Sequence, residues 1–483
     1  MTSWLVPGHL EFVDGSLRID NVDTLSLAQQ YGTPLFVFSE QRIRHNIQEI
    51  KSAFQGINPR TSIFYASKAN SNLAILQIIK EEGLNVEVNS GGELYKALQT
   101  GFGPEQIIFN GVAKTEQEIR EAIENEIFCI NVDSPIELAR IIVIAKRLGK
   151  KASVALRMVP EIEIDSHGGF KTGTHKTKFG ISEDSLFDCY CEALRHPEHL
   201  NLIALHIHIG SQVTSAEKYK LGFKTLVTKA SELYQKTGYC VSCLNFGGGI
   251  PVSYAKQGDK YLRKALVHGS QHQFGDLHAM LMGSLSIVDI AAATLGQLTD
   301  EAFLQELDSI NPSFRKELPN IRMIIEPGRR IVGNAAILLT TIQNYKTRPA
   351  TDDIWLLLDA GFHTLFDAFA YNWYFQPVAI TSADNPISRR YKLAGPLCDS
   401  GDEFHDTEGL GRLPDYYMLP ANIELGDKLA FLDVGAYALE LMSQYNGQQR
   451  AAALLISNSE ATRVIRRRDT YEDLIRHDMP LKP

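Results

Sequence analysis

The sequence predicts an α/β chain: a (β/α)8 TIM barrel over residues 39–335 and a β-rich domain, a sandwich or barrel, over 336–483 that also takes the N-terminal strands of 1–38. Three observations carry this. From residue 39 onward, short β-rich runs alternate with longer amphipathic ones, the rhythm of parallel strands joined by crossover helices. About eight such units occur, the count that closes a barrel. Beyond residue 335 the helical periods give way to apolar runs punctuated by Gly, Pro, Asn and Asp, the pattern of a sheet-built domain. A doubly wound open sheet is the competing architecture, but no Gly-rich fingerprint follows the first strand.

The expected barrel strands are Ser62–Ala66, Leu84–Val88, Gln106–Phe109, Ile127–Val132, Ala152–Met158, Asn201–His208, Val241–Phe246 and Ile321–Glu326. Between them lie helical patterns such as Asn72–Glu82, Gly92–Thr100, Thr115–Glu124, Pro135–Leu148 and Ala216–Lys236. Residues 255–318 form a long connection before the last strand, helical over Phe274–Leu285 and Glu301–Leu307, and its length suits a lid or an oligomer contact. The second domain is expected to use Ala336–Ile342, Ile354–Asp359, Pro377–Ile380, Tyr391–Leu393, Lys428–Leu432 and Ala452–Ile456, joined by Leu10–Ile19 and Thr33–Phe38.

Composition narrows the class. A formal net charge of -9 supplies no basic face for nucleic acid, and Arg466-Arg467-Arg468 is answered at once by Asp469, Glu472 and Asp473. No apolar run approaches the roughly 20 residues of a membrane span, and no signal peptide is evident at the N-terminus. Six cysteines are too sparse to staple a chain of 483 residues, so a reduced, cytoplasmic setting is expected. Cys240 and Cys243 lie in an apolar strand pattern and read as buried thiols rather than a redox or zinc pair.

The chemistry-bearing residues fall at strand ends. Lys68 sits where the run Ser62–Ala66 stops and the next helix begins; apolar walls there would desolvate its ammonium and favour the nucleophilic amine, although a solvated lysine is the plainer reading. Strand seven runs into Gly247-Gly248-Gly249, whose backbone N–H groups can approach an anion, or which simply form a tight turn. Strand eight ends in Glu326-Pro327-Gly328-Arg329: Arg329 could reach the same anion, and Glu326 could pair with the protonated nitrogen of a heterocycle. An ion pair between Glu326 and Arg329 themselves is the alternative. Strand six offers His206 and His208 on one face, suited either to metal or to stacking on a flat cofactor with Ser211 at its phosphate; stacking is favoured because no further His/Asp set accompanies them. In the β-rich domain, Cys398 stands in Gly395–Asp402 between small and acidic residues, a proton donor, a nucleophile or an inert thiol.

Taken together, Tyr31–Leu35, Tyr65–Asn70, Ser90–Leu94, His208–Ser211, Gly247–Gly249, Glu326–Arg329, Gly395–Asp402 and Gly435–Tyr437 closely resemble, in order and over nearly the whole chain, the fold-type III decarboxylases that use pyridoxal 5'-phosphate. That group includes the diaminopimelate, ornithine, lysine and arginine decarboxylases. The ending Ile465–Asp473 resembles the branch acting on ornithine or lysine, D-isomers included. The resemblance implies that Lys68 forms the Schiff base, that His208 stacks on the ring and that Glu326 pairs with its nitrogen. It further implies that Ser211, Gly247, Gly248, Gly249, Arg329 and Tyr437 hold the phosphate, with Glu87 at the cofactor's edge. Cys398 and Asp399 would complete each site of a homodimer from the second subunit, Cys398 protonating Cα, and Lys178 would pair with Asp402 across that interface. No metal is implied.

The expected activity is removal of the α-carboxylate of ornithine, lysine or a siderophore-type precursor, with diaminopimelate decarboxylation or racemisation on the same fold as alternatives. A carboxylate at 326 disfavours the racemase, which places an arginine opposite the ring nitrogen. Two departures from the family pattern bear on substrate. Diaminopimelate decarboxylases carry an Arg-Pro-x-Leu-Tyr element whose arginine grips a substrate carboxylate; here the aligned residues are Asp367-Ala368-Phe369-Ala370-Tyr371, so Asp367 and Tyr371 would face the substrate's far end. Glu87 stands where the family usually has aspartate.

Overall fold

The computed structural model describes residues 6, 8–162, 173–174, 176–254, 285–380, 387–405, 413–457 and 461–481. They divide into two compact units, one running from Arg44 to Pro251 with the stretch that ends at Ile331, the other taking the chain up to Ile43, 252–254 and Val332 onward.

The first unit is a closed barrel of parallel strands: Ser62–Ala66, Asn85–Val88, Ile107–Phe109, Cys129–Val132, Ala152–Arg157, Leu200–His206, Cys243–Asn245 and Arg322–Ile325. They are numbered one to eight below. Pairing of Ile324 with Ser62 and Ile325 with Ile63 closes the ring. The strands are mostly apolar because lumen and helices cover both faces, with polar side chains concentrated toward their C-terminal ends. Small and large side chains interlock in one buried cluster, with Ala155, Ala204, Cys129 and Cys243 making room for Phe64. Cys129 and Cys243 are buried thiols, and burial is the first cause that pushes both upward, so neither offers a thiolate. Helix boundaries follow local chemistry. Pro135–Leu148 starts with Ser134 capping and proline in its first turn, and stops at Gly149 in the left-handed region. Thr115 and Glu118 form a reciprocal capping box for Glu116–Glu124.

The connection after strand seven holds the helices Ile287–Thr294 and Glu301–Ile310. Of the expected Phe274–Leu285 helix, all but the last residue lies outside the described residues. Among the described residues, no helix is long and apolar enough to cross a membrane.

The second unit is built on a nine-stranded sheet with Ala336–Arg348 at its centre, bonded to Leu35–Ser39, Asp353–Leu358 and Lys428–Leu432. Leu35–Ser39 thus joins the later strands, and Ala452–Ser457 runs parallel beside it. Leu10–Ile19, expected as one strand, is a hairpin: Leu10–Val13 pairs with Ser16–Ile19 across Asp14-Gly15, both with positive φ. Asp-Gly at a two-residue turn is the signature of that geometry. Leu17 and Ile19 pack with Leu35, Val37, Ile337 and Leu339 in one core, each such buried side chain worth roughly 1.5–3 kcal/mol. Besides the two-residue strand Val22–Asp23, two strands of the larger sheet escaped the sequence reading. Ala461–Arg466 is an exposed, arginine-bearing edge without apolar alternation, and Tyr417–Pro420 ends in proline.

Candidate active site

At the C-terminal rim of the barrel each strand delivers one or two polar side chains to a common floor. Strand one leads into the turn Ser67–Ala69 that bears Lys68. That turn is pinned: Ser67 Oγ donates to Glu93 Oε2 at 2.6 Å, Tyr65 Oη donates to the Asn70 carbonyl at 2.9 Å, and Ala66 N–H donates to the Pro327 carbonyl at 3.1 Å. Strands two to eight supply Glu87, Asn110, Asn131 with Asp133, Arg157, His206, Asn245 and Glu326, all buried.

Three asparagines knit this floor together. Asn131 Nδ2 donates to Asn110 Oδ1 at 2.6 Å; Asn110 Nδ2 donates to Glu87 Oε1 at 2.7 Å and to Glu326 Oε2 at 3.2 Å. Asn245 Nδ2 donates to Glu326 Oε1 at 2.7 Å, while its oxygen accepts the Gly247 N–H at 2.9 Å. His206 Nε2 lies 3.5 Å from Glu326 Oε2. Burial opposes charge on Glu326, yet His206, Asn245 and Lys68 outweigh it and hold the carboxyl below its ordinary range. Burial also lowers His206, against the opposing pull of Glu326. The anion therefore rests on the Asn245 and Asn110 amides, with His206 and Lys68 adding their pull.

The sequence reading is corrected at three points here. Lys68 is exposed, not walled by apolar groups, and its electrostatic neighbours include Glu87 and Glu326. His206 and His208 do not work as a pair: strand six ends at His206, which turns to Glu326, whereas His208 accepts the Gly248 N–H on Nδ1 at 3.2 Å. Burial, with Lys68 and Arg157 adding repulsion, presses His208 well below the usual histidine range, although part of the residue remains open to solvent. The Glu326–Arg329 ion pair gives way to separate tasks, since Glu326 is met by Asn245 and Asn110 while Arg329 Nη2 donates to Ser211 Oγ at 3.4 Å. Asn110, Asn131, Arg157 and Asn245 were missed. Their signal was present: one amide or guanidinium closing an otherwise apolar run.

Beside Arg329 and Ser211 the glycine run forms a cradle. Gly249 has φ +92, and a Cβ on Gly248 would overlap the Glu326 carbonyl. With a buried arginine at its edge, that backbone suits a phosphate. Gly248→Ala is expected to weaken coenzyme binding by about tenfold, within the range of overpacking costs. Fluorescence titration of the apoenzyme reads this, and unchanged affinity would show that the cradle does not hold the anion.

The remaining expected residues belong to the second unit. Cys398 is exposed, its N–H bonded to Asn446 Oδ1 at 2.8 Å; Asp399 accepts from Tyr445 Oη at 3.1 Å and from Gly401 N–H at 2.9 Å. Asp402 is only 2 % exposed and accepts the Phe362 and Leu397 N–H groups at 2.6 and 2.8 Å. It organises the Cys398 loop from within, where the resemblance had implied a pairing with Lys178 of another subunit. Asp367 is buried in the short helix Phe366–Ala370 and Tyr371 caps that helix, while Tyr437 has φ +68.

A lysine acting on a buried carboxylate beside an anion cradle, on the rim of an α/β barrel, is an arrangement that suits pyridoxal phosphate. Residues 40–278 match the pyridoxal binding domain of the pyridoxal-dependent decarboxylases. The chain is 31% identical over 470 residues to the diaminopimelate decarboxylase of Aquifex aeolicus, covering 97% of this chain and 96% of that one. It is 32% identical over 465 residues to that of Methanothermobacter thermautotrophicus, covering 96% and 95%. The crystal structure of the Methanocaldococcus jannaschii diaminopimelate decarboxylase superposes with a TM-score of 0.82 at 30% identity, covering 98% of each chain. The chain belongs to the fold-type III pyridoxal-phosphate-dependent decarboxylases and is an amino-acid carboxy-lyase. These relatives are diaminopimelate decarboxylases, not the ornithine or lysine enzymes that the ending Ile465–Asp473 had suggested.

Proposed function

We propose that this enzyme removes the α-carboxylate of a diamino acid, and that diaminopimelate is the first substrate to test. The observation that carries the reaction type is Glu326, an anion held by neutral donors on the same floor as Lys68. Pyridoxal phosphate supplies an electron sink for the pair left behind when CO2 departs. The protein's part is to bind and orient. Lys68 is the attachment point; Gly247, Gly248, Gly249, Ser211, Arg329 and Tyr437 hold the phosphate; His208 covers the ring. Glu326 keeps a proton on the ring nitrogen, which suits decarboxylation better than racemisation. Cys398 returns a proton to Cα and Asp399 meets the substrate, both from the second subunit of a homodimer; the exposure of Cys398 supports that assignment.

The nearly full-length relatives support diaminopimelate. One observation favours a second reading. Asp367 stands where a carboxylate-gripping arginine is expected, and an acid there would repel a distal carboxylate but welcome an ammonium. A substrate such as ornithine or lysine answers that chemistry. Purified enzyme assayed against a panel of diamino acids, both enantiomers included, is expected to show a kcat/KM preference of about 10²-fold or more for one member. Preference for meso-diaminopimelate removes the second reading; indifference to the group beyond Cδ removes both.

A further inference from the structure

Glu87 lies on the barrel floor with only half of its carboxyl accounted for. Its Oε1 accepts from Asn110 Nδ2 at 2.7 Å, whereas Oε2 is buried and meets no hydrogen-bond partner. The same amide nitrogen reaches Glu326 Oε2 at 3.2 Å, so both of its hydrogens are spent, and its oxygen is taken by Asn131. Glu326 gains Asn245 and His206 in addition. Two buried carboxyls thus lean on one amide, and only one of them has the donors to stay ionised. A buried carboxylate oxygen without a donor is costly; the same oxygen carrying a proton becomes a donor in need of an acceptor. The charged groups acting on Glu87 come from several elements: Lys68 after strand one, Glu93 on the helix Gly91–Gln99, Arg157 on strand five and Glu326 after strand eight.

We infer that Glu87 is a positioning residue that works as the neutral acid, its buried Oε2 donating a hydrogen bond to an acceptor that the coenzyme brings to the Lys68 side of the pocket. This rests on the pyridoxal-phosphate site described above. Burial, reinforced by Glu326 and Glu93 against the pull of Lys68, pushes Glu87 up to about 7, so its proton is in play near neutrality. Binding that needs the acid must take up a proton once Glu87 has ionised. Affinity then falls as pH rises through that region and is insensitive to Glu87 below it.

The test is binding of 4′-deoxypyridoxine 5′-phosphate, which lacks the aldehyde and forms no bond to Lys68, to apoenzyme between pH 6 and 9. Ionisations of the ligand itself are common to every variant and cancel in the ratio of wild type to Glu87→Gln, whose amide keeps a donor but cannot titrate. The expected result is a wild-type Kd that weakens by up to about tenfold per pH unit above the transition, relative to Glu87→Gln. Glu87→Asp should restore the slope. Calorimetry of the wild type alone at pH 8, in two buffers of different ionisation enthalpy, should show net proton uptake on binding. Parallel curves for wild type and Glu87→Gln, or no proton uptake, would overturn the inference. Failure of the wild type to bind the analogue at any pH would sink the cofactor site itself, and this inference with it.

Discussion

Lys68→Ala is expected to abolish decarboxylation, lowering kcat by on the order of 10³-fold or more, while leaving the barrel folded. The fold should survive because the turn Ser67–Ala69 does not depend on the lysine side chain. Ser67 is held by Glu93, Tyr65 by the Asn70 carbonyl and Ala66 by Pro327, bonds made by the backbone and by neighbouring side chains. Lys68 is also exposed, so its truncation leaves no cavity, and stability should fall by no more than about 1 kcal/mol, from the charge withdrawn from Glu326 and Glu87. The decisive readout is the link itself. Borohydride treatment of wild-type holoenzyme should fix the coenzyme on the peptide bearing Lys68, as mass spectrometry would show, and the alanine variant should lose both the visible absorbance and the mass shift. A coenzyme-bearing peptide from any other lysine, or an alanine variant that turns over at wild-type rate, would refute the assignment.

The barrel was legible because its grammar is local. Each strand is a short apolar run and each helix carries its own stop, as with Ser134, Pro135 and Gly149 around a single helix. The cradle and Glu326-Pro327-Gly328-Arg329 could be read for the same reason, since glycine runs and a charged residue at a strand end stand out against apolar neighbours. What the sequence hid is the company those residues keep. Asn110, Asn131 and Asn245 come from three strands, and nothing in their flanking residues says that they share one hydrogen-bond chain. The two histidines misled because strict alternation was extended past the end of strand six, where the backbone leaves the sheet. Asp402, read from the resemblance only as a partner for Lys178 across an interface, is drawn inside by two backbone N–H groups and the crowding of Gly361 and Gly395. Substrate choice was the least legible feature. Asp367 argues from one position against relatives that match along the whole chain, and a single side chain in a buried helix does not outvote that extent of similarity.

Glu326→Gln should lower kcat by about 10² to 10³-fold, the scale of removing one preorganised electrostatic partner from a reacting centre. KM should change little, because the lost interaction matters most once charge builds on the ring. A glutamine cannot retain a proton on the ring nitrogen, and its fit is poor besides. One of the two oxygens becomes an NH2 group, which must face either Asn245 Nδ2 or Asn110 Nδ2, both donors. Turning Asn245 over would forfeit the Gly247 N–H, and turning Asn110 over would forfeit both Asn131 and Glu87. An unsatisfied buried amide costs roughly 1–3 kcal/mol, so the variant should also melt earlier than wild type. The two effects separate by measurement: thermal unfolding reports the broken amide chain, and kcat with bound coenzyme saturated reports the lost charge. Retention of more than about a tenth of wild-type kcat would remove Glu326 from the role of ring-nitrogen partner, whatever happened to the melting temperature.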